Sequence, residues 1–155
     1  MTSPVTRSDI EKNVQQLYVQ LEEVRAAIQA LQARSLELTN EIREIRLAYE
    51  TLSTIQQYGQ SDTLSSLDRY GYVYVKVQLM NRDKAVVRIG KDLYALVPID
   101  EAKNILLNFE KDVTDELRKV EADLKQLVGI YNQIQGKLQE YLSMLAGEEE
   151  RSRTL

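Results

Sequence analysis

The sequence contains no cysteine, no histidine and no tryptophan, and it has a single phenylalanine. Without cysteine there is no disulfide and no thiolate nucleophile. Without histidine, the usual general base and the commonest metal ligand are both missing. No P-loop, dinucleotide-binding glycine set or nucleophile elbow occurs either. The sequence therefore predicts a protein that is not an enzyme and that uses no catalytic residue, metal or cofactor.

The charge and the hydropathy pattern argue against two classes of partner. A net charge of -4 gives no overall positive field for binding phosphates, so we expect no nucleic-acid partner. No uncharged run approaches the roughly 18 residues of a membrane span. The first seven residues lack the apolar core of a signal peptide. We therefore expect a cytoplasmic protein with no membrane partner.

Proline and glycine are scarce, with two and six residues respectively, and neither occurs between Val5 and Tyr58. Over this range apolar residues recur at alternating steps of four and three, which is typical of a coiled-coil seam. A second run of the same period fills the last third of the chain. The first run begins Ile10, Val14, Leu17, Leu21, Val24, Ile28, Leu31, and the second, read backwards, begins Leu145, Tyr141, Leu138, Ile134, Tyr131, Leu127, Leu124. The numbers of each successive pair total 155, which predicts two antiparallel helices paired layer by layer.

The expected helices have recognisable starts and stops. The first is predicted over residues 8–58, beginning with a capping box formed by Ser8 and Glu11. The second is predicted over residues 99–147, with Asp100 near its N-cap and Gly147 as its stop. Residues 148–155 are expected to form a flexible tail.

Residues 59–98 change the apolar period from 3.5 to two. Strands are predicted at residues 72–79, 85–89 and 93–97, with a weaker one at 63–67 and turns at 81–84 and 90–92. Such short strands leave unpaired edges, so we expect strands of several chains to close one barrel. The fold class is thus α+β, a long antiparallel two-helix coiled coil with two β-hairpins at the bend. The residues predicted to face inward at the subunit interface are Val73, Val75, Val77, Val87 and Ile89.

A long helix, two β-hairpins and a long helix resemble the α-class subunit of prefoldin. The similarity is clearest at Leu67, Tyr72-Val73 and Lys76-Val77, at Ala85–Gly90, at Leu93–Ala95 and at Asp100–Ala102. Asp92 departs from the family pattern, which has a second glycine there. The resemblance implies an ATP-independent holdase, assembled with β-type subunits into an α2β4 hexamer, that holds unfolded proteins and passes them to a group II chaperonin.

The free ends of the two helices form the second candidate site. Prefoldin arms hold non-native chains by their distal apolar residues, so the resemblance implies client binding there. The heptad pattern alone is equally compatible with ordinary packing at the end of a coil. An alternative function is a filament-forming or scaffolding protein of the same fold that binds no client. The predicted client-binding residues are Ile10, Val14, Leu17, Leu138, Tyr141, Leu142, Met144 and Leu145.

Overall fold

A computed structural model describes residues 6–59 and 62–153. Along the chain, four short strands lie between two long helices. The order is α1 (Arg7–Tyr58), β1 (Asp62–Ser66), β2 (Tyr74–Gln78), β3 (Lys84–Arg88), β4 (Tyr94–Pro98) and α2 (Ile99–Arg153). The chain divides into two compact units. We call residues 1–37 with 117–155 the helix-pair unit, and residues 38–116 the hairpin unit.

Helix α1 has a cap at each end. Asp9 N donates to Thr6 Oγ1 over 3.3 Å, and Thr6 N donates to the Asp9 carboxylate over 3.1 Å. The capping box is therefore Thr6–Asp9, and the prediction of Ser8 and Glu11 was wrong by two positions. At the other end Gly59, at φ 59°, donates its N–H to Ile55 O over 3.0 Å. This left-handed residue closes the last turn, as glycine does at many helix ends.

The helix-pair unit has the antiparallel register that the heptads predicted. Leu21 and Ile134 are buried along the seam. Beside the seam, Arg7 pairs with Glu149 at 3.3 Å, and Arg25 Nη2 donates to Tyr131 Oη over 3.2 Å. Both pairs of numbers total 156, one more than the total for the seam. These polar contacts therefore flank the predicted apolar layers.

Helix α2 continues beyond its predicted end. Gly147 does not adopt a positive φ, and the helix continues to Arg153. A glycine inside a helix costs only about 1 kcal/mol relative to alanine, and the following Glu and Arg residues are good helix formers. The expected tail is thus helical over residues 148–153, and its last two residues lie outside the described part of the chain.

The hairpin unit contains two separate antiparallel sheets. Strand β1 pairs with β2, with Leu64 opposite Lys76, and β3 pairs with β4, with Val86 opposite Leu96. The four strands lie where the sequence predicted them, although β2 is three residues shorter than residues 72–79. Residues 79–83 join the two sheets, and Asn81 Oδ1 accepts hydrogen bonds there from Asp83 N and Lys84 N. The predicted turn at 81–84 therefore links two hairpins.

Asp68 organises the turn of the first hairpin. Its carboxylate accepts the backbone N–H groups of Tyr70 at 2.8 Å, Tyr72 at 3.1 Å and Val73 at 2.9 Å. These amides, that of Tyr72 first, hold the pKa of Asp68 below its usual value because they stabilise the charged form. Gly71, at φ 74°, provides the left-handed residue of this turn.

Candidate functional sites: two exposed apolar surfaces

At the chain-terminal end of the helix-pair unit the seam is closed. Ile10 is 4% exposed and Leu138 is 7% exposed. Val14, Leu17, Tyr141 and Leu145 are half-buried. These six predicted client-binding residues therefore pack within the helix pair and would reach a client fully only if the two helices separated.

The remaining two predicted residues lie outside the seam. Leu142 is 41% exposed and Met144 is 53% exposed. Helix α1 adds Tyr18 and Val19, both of which are also exposed. The sequence-based list omitted these two, although their positions between the seam residues Leu17 and Leu21 indicate an outward direction. Leu142 and Met144 are two residues apart in α2 and therefore lie on different sides of that helix. We use the name terminal apolar patch for the four exposed residues Tyr18, Val19, Leu142 and Met144 taken together.

Charged and amide side chains surround part of this patch. A shallow depression around Val19 is lined by Lys12, Gln15, Gln16, Gln20 and Glu23. Val19 is the one apolar residue that lines this depression. Methionine and tyrosine also adapt to contacts of different shape.

The two hairpins present a second set of exposed apolar side chains. The outer face of the second hairpin exposes Val86, Tyr94 and Leu96, each by more than 60%. The first hairpin exposes Leu64 and Tyr74, and its turn exposes Tyr70 and Tyr72. The two turn tyrosines lie 6.0 Å apart, centroid to centroid, with their rings tilted by 52°. Two-stranded sheets with this much exposed apolar area are unstable alone and are suited to further strand pairing.

The predicted interface valines are placed differently from one another. Val87 is 7% exposed and therefore packs against its own chain, and Val77 is half-buried. Val77 lines a groove together with Leu47 and Ile55 of α1. Val73, Val75 and Ile89 remain exposed. In the second hairpin, as the alternating pattern predicted, adjacent residues of β3 point to opposite faces. The more exposed of these faces carries Val86, Tyr94 and Leu96, none of which was among the predicted interface residues.

Polar contacts fix the start of α2 against the end of α1 within the hairpin unit. Gln56 Nε2 donates to Asp100 Oδ1 over 2.8 Å, and Lys103 Nζ donates to Gln56 Oε1 over 3.3 Å. The same ammonium lies 5.1 Å from the ring centroid of Tyr49. Arg46 also pairs with Glu110 at 2.6 Å. This network holds the two helices together where the hairpins leave them.

Neither surface has the features of a catalytic or metal site. Within residues 6–59 and 62–153, no group of three or more acidic, histidine or cysteine side chains could hold a metal ion. No helix in that part of the chain has an apolar stretch that could span a membrane.

A family model described as prefoldin subunit matches residues 24–143. The chain belongs to the prefoldin family. It is 33% identical over 127 residues to a prefoldin subunit alpha of Saccharolobus solfataricus, covering 77% of this chain and 86% of that protein. It is 30% identical over 143 residues to the same subunit of Sulfurisphaera tokodaii, covering 83% of this chain and 93% of that protein.

Among solved structures, one described as filamentous PFD from Methanocaldococcus jannaschii has a TM-score of 0.42. It is 22% identical and covers 85% of this chain and 97% of that one. The prefoldin family match includes both hairpins and most of each helix. It leaves out Ile10, Val14, Leu17, Met144 and Leu145, so their predicted roles depend on the geometry of this chain.

Proposed function

We propose that this chain is an α-class prefoldin subunit acting as an ATP-independent holdase for non-native proteins. The observation that carries the proposal is the terminal apolar patch, which exposes four large side chains outside the packed seam of the helix pair. Each contact with a client would be weak. Several copies held in one assembly would make binding strong, because the later contacts become intramolecular.

The hairpins supply the means of assembly in this proposal. Their outer strand edges would join strands of β-type subunits in a shared barrel, in an α2β4 hexamer. A client held away from other unfolded chains cannot aggregate with them, and it would then pass to a group II chaperonin. The similarity to archaeal proteins named prefoldin subunit alpha supports this assignment.

A direct test replaces the terminal apolar patch by serine in the variant Tyr18→Ser/Val19→Ser/Leu142→Ser/Met144→Ser. The matched control is Leu36→Ser/Val128→Ser, which removes two exposed apolar residues elsewhere in the helix-pair unit. Each assembly is added to a denatured protein on dilution, and light scattering measures its aggregation. We expect the patch variant to lose most of its protection and the control to keep it, with both assemblies unchanged in mass. Equal protection by the patch variant and the parent would refute client binding at this patch.

Two measurements together distinguish the scaffold alternative from the holdase: the mass of the assembly and its protection of a denatured protein. Mixed with an archaeal β-type subunit, the chain should form a discrete hexamer by native mass spectrometry. Open-ended polymers without protection of a denatured protein would favour a filament, since unpaired edges can also propagate. Protection that requires ATP would contradict the proposed mechanism.

A further inference from the structure

The outer edge of β3 combines backbone groups that do not bond to β4 with two cations. Ile89 N donates a hydrogen bond to Leu93 O, so Ile89 faces β4. In an antiparallel pair every second residue bonds to the partner strand, so Val87 and Ala85 also direct their backbone N–H and C=O groups toward β4. Lys84, Val86 and Arg88 therefore direct theirs toward the other edge, where the described residues supply no partner strand. Asn81 Oδ1 already accepts the Lys84 N–H there, so a partner strand would bond mainly to Val86 and Arg88. Their side chains share one face, and all three are exposed.

The charges on this edge disfavour pairing with a second copy of itself. In an antiparallel pair centred on Val86, Lys84 would lie opposite Arg88 of the copy, and this would occur twice. Like charges directly opposite each other destabilise a strand pair, and opposite charges stabilise it. Strand β3 itself carries no acidic residue. Glu41 and Glu44 of α1 line a depression together with Arg88, so they reduce the repulsion at that end of the edge without removing the one at Lys84.

We propose that the β3 edge selects, by charge, an edge strand of a different chain with acidic residues two positions on either side of an apolar one. The apolar residue would cover Val86, and the two acids would face Lys84 and Arg88. This strand chemistry would make assembly heterotypic at this edge. The inference rests on the proposed shared barrel and adds the residues that choose the partner.

The outer edge of β1, in the first hairpin, has no such arrangement of charges. The one charged residue of β1, Asp62, is paired with Lys76 of the neighbouring strand at 3.2 Å. An antiparallel copy of β1 centred on Leu64 would place Asp62 opposite Ser66, with no like-charge pair. Of these two edges, that of β3 is therefore the one that would place like charges opposite each other in a pair of copies.

The absence of cysteine allows a direct test by disulfide trapping. Val86→Cys reports pairing at the centre of the edge, where opposed Cα atoms lie within reach of a disulfide. One chain carries this change alone, and a second also carries Lys84→Glu and Arg88→Glu, which turn it into an acidic-edge partner. The two are unfolded together, refolded and oxidised, and mass spectrometry counts the three possible disulfide products.

We expect the mixed product to exceed either homotypic product by about tenfold at low salt, and by much less at 1 M NaCl. A chain without preference gives the mixed product at twice each homotypic one. That statistical ratio would overturn the proposal. The matched control carries Lys111→Glu and Lys119→Glu with Val86→Cys, which makes the same change in net charge away from the edge, and should give the statistical ratio.

A second measurement needs no change of charge. The Val86→Cys chain alone should form more homotypic disulfide as the salt concentration rises, because salt screens the repulsion between Lys84 of one copy and Arg88 of the other. A disulfide yield that does not change with salt would contradict selection by charge. Neither readout depends on client protection. Failure here would therefore leave the holdase proposal intact, and failure of the holdase test would leave these ratios meaningful.

Discussion

Arg7 Nη2 lies 3.3 Å from Glu149 Oε1, an ion pair that joins the first turn of α1 to the C-terminal part of α2. More than half of each side chain is exposed to solvent, so the pair contributes little to global stability. Its position is nevertheless informative. It closes the helix pair next to Ile10, the first buried residue of the seam.

Replacing Arg7 by glutamine should loosen this end without unfolding the chain. We expect amide hydrogen exchange at residues 10–17 to become a few times faster, because local opening there is opposed by few other contacts. The midpoint of thermal unfolding should move by less than about 1 °C, as for other exposed ion pairs. Arg43→Gln, at an exposed position of α1, is the control and should leave exchange at residues 10–17 unchanged. An equal effect of both substitutions would show that the ion pair does not hold the end closed.

Two leucines of α2, four residues apart, should behave in opposite ways. Leu138 is buried, so Leu138→Ala leaves a cavity and should lower the free energy of unfolding by about 2–5 kcal/mol. Leu142 belongs to the terminal apolar patch, and Leu142→Ser should change that free energy by no more than about 0.5 kcal/mol. Urea unfolding followed by circular dichroism measures both. A similar loss for both would mean that Leu142 packs in the seam.

The sequence was sufficient for the order of the elements and for the antiparallel register. The register could be predicted because Ile10 and Leu138 belong to long periodic runs, in which many residues report the same seam. The start of α1 could not, since Thr6–Asp9 and Ser8–Glu11 have equivalent capping chemistry. The end at Gly147 was wrong because the cost of one glycine is small against the propensity of its neighbours.

Which face of the second hairpin is exposed could not be predicted from the sequence. Val86 and Val87 are adjacent and alike, so alternation assigns them to opposite faces without saying which one packs against the chain. The client-binding residues predicted from the sequence included Leu142 and Met144, which lie near the chain end, and omitted Tyr18 and Val19, although all four lie off the heptad seam.

The turn of the first hairpin should lose stability in acid through Asp68. Since folding lowers the pKa of this carboxyl, its stabilising contribution is complete above the unfolded value of 3.8 and disappears as the pH falls through the lower, folded value. Amide exchange at Tyr70, Tyr72 and Val73, whose N–H groups it accepts, should therefore accelerate in that range beyond the intrinsic effect of pH. Asp68→Asn should abolish this additional pH dependence, whereas Asp92→Asn, in the turn of the other hairpin, should preserve it.

Two glycine-to-alanine substitutions should have opposite signs, because their backbones differ. Gly71 has φ 74°, and a Cβ there would lie 2.5 Å from Tyr74 Oη, so Gly71→Ala should cost about 1–2 kcal/mol from the left-handed backbone alone. A Cβ on Gly136, inside α2, would meet nothing within 4 Å. Gly136→Ala should therefore stabilise the helix by about 0.5–1 kcal/mol. Denaturant midpoints of the two variants measure both effects, and stabilisation by Gly71→Ala would show that the turn does not require a left-handed residue.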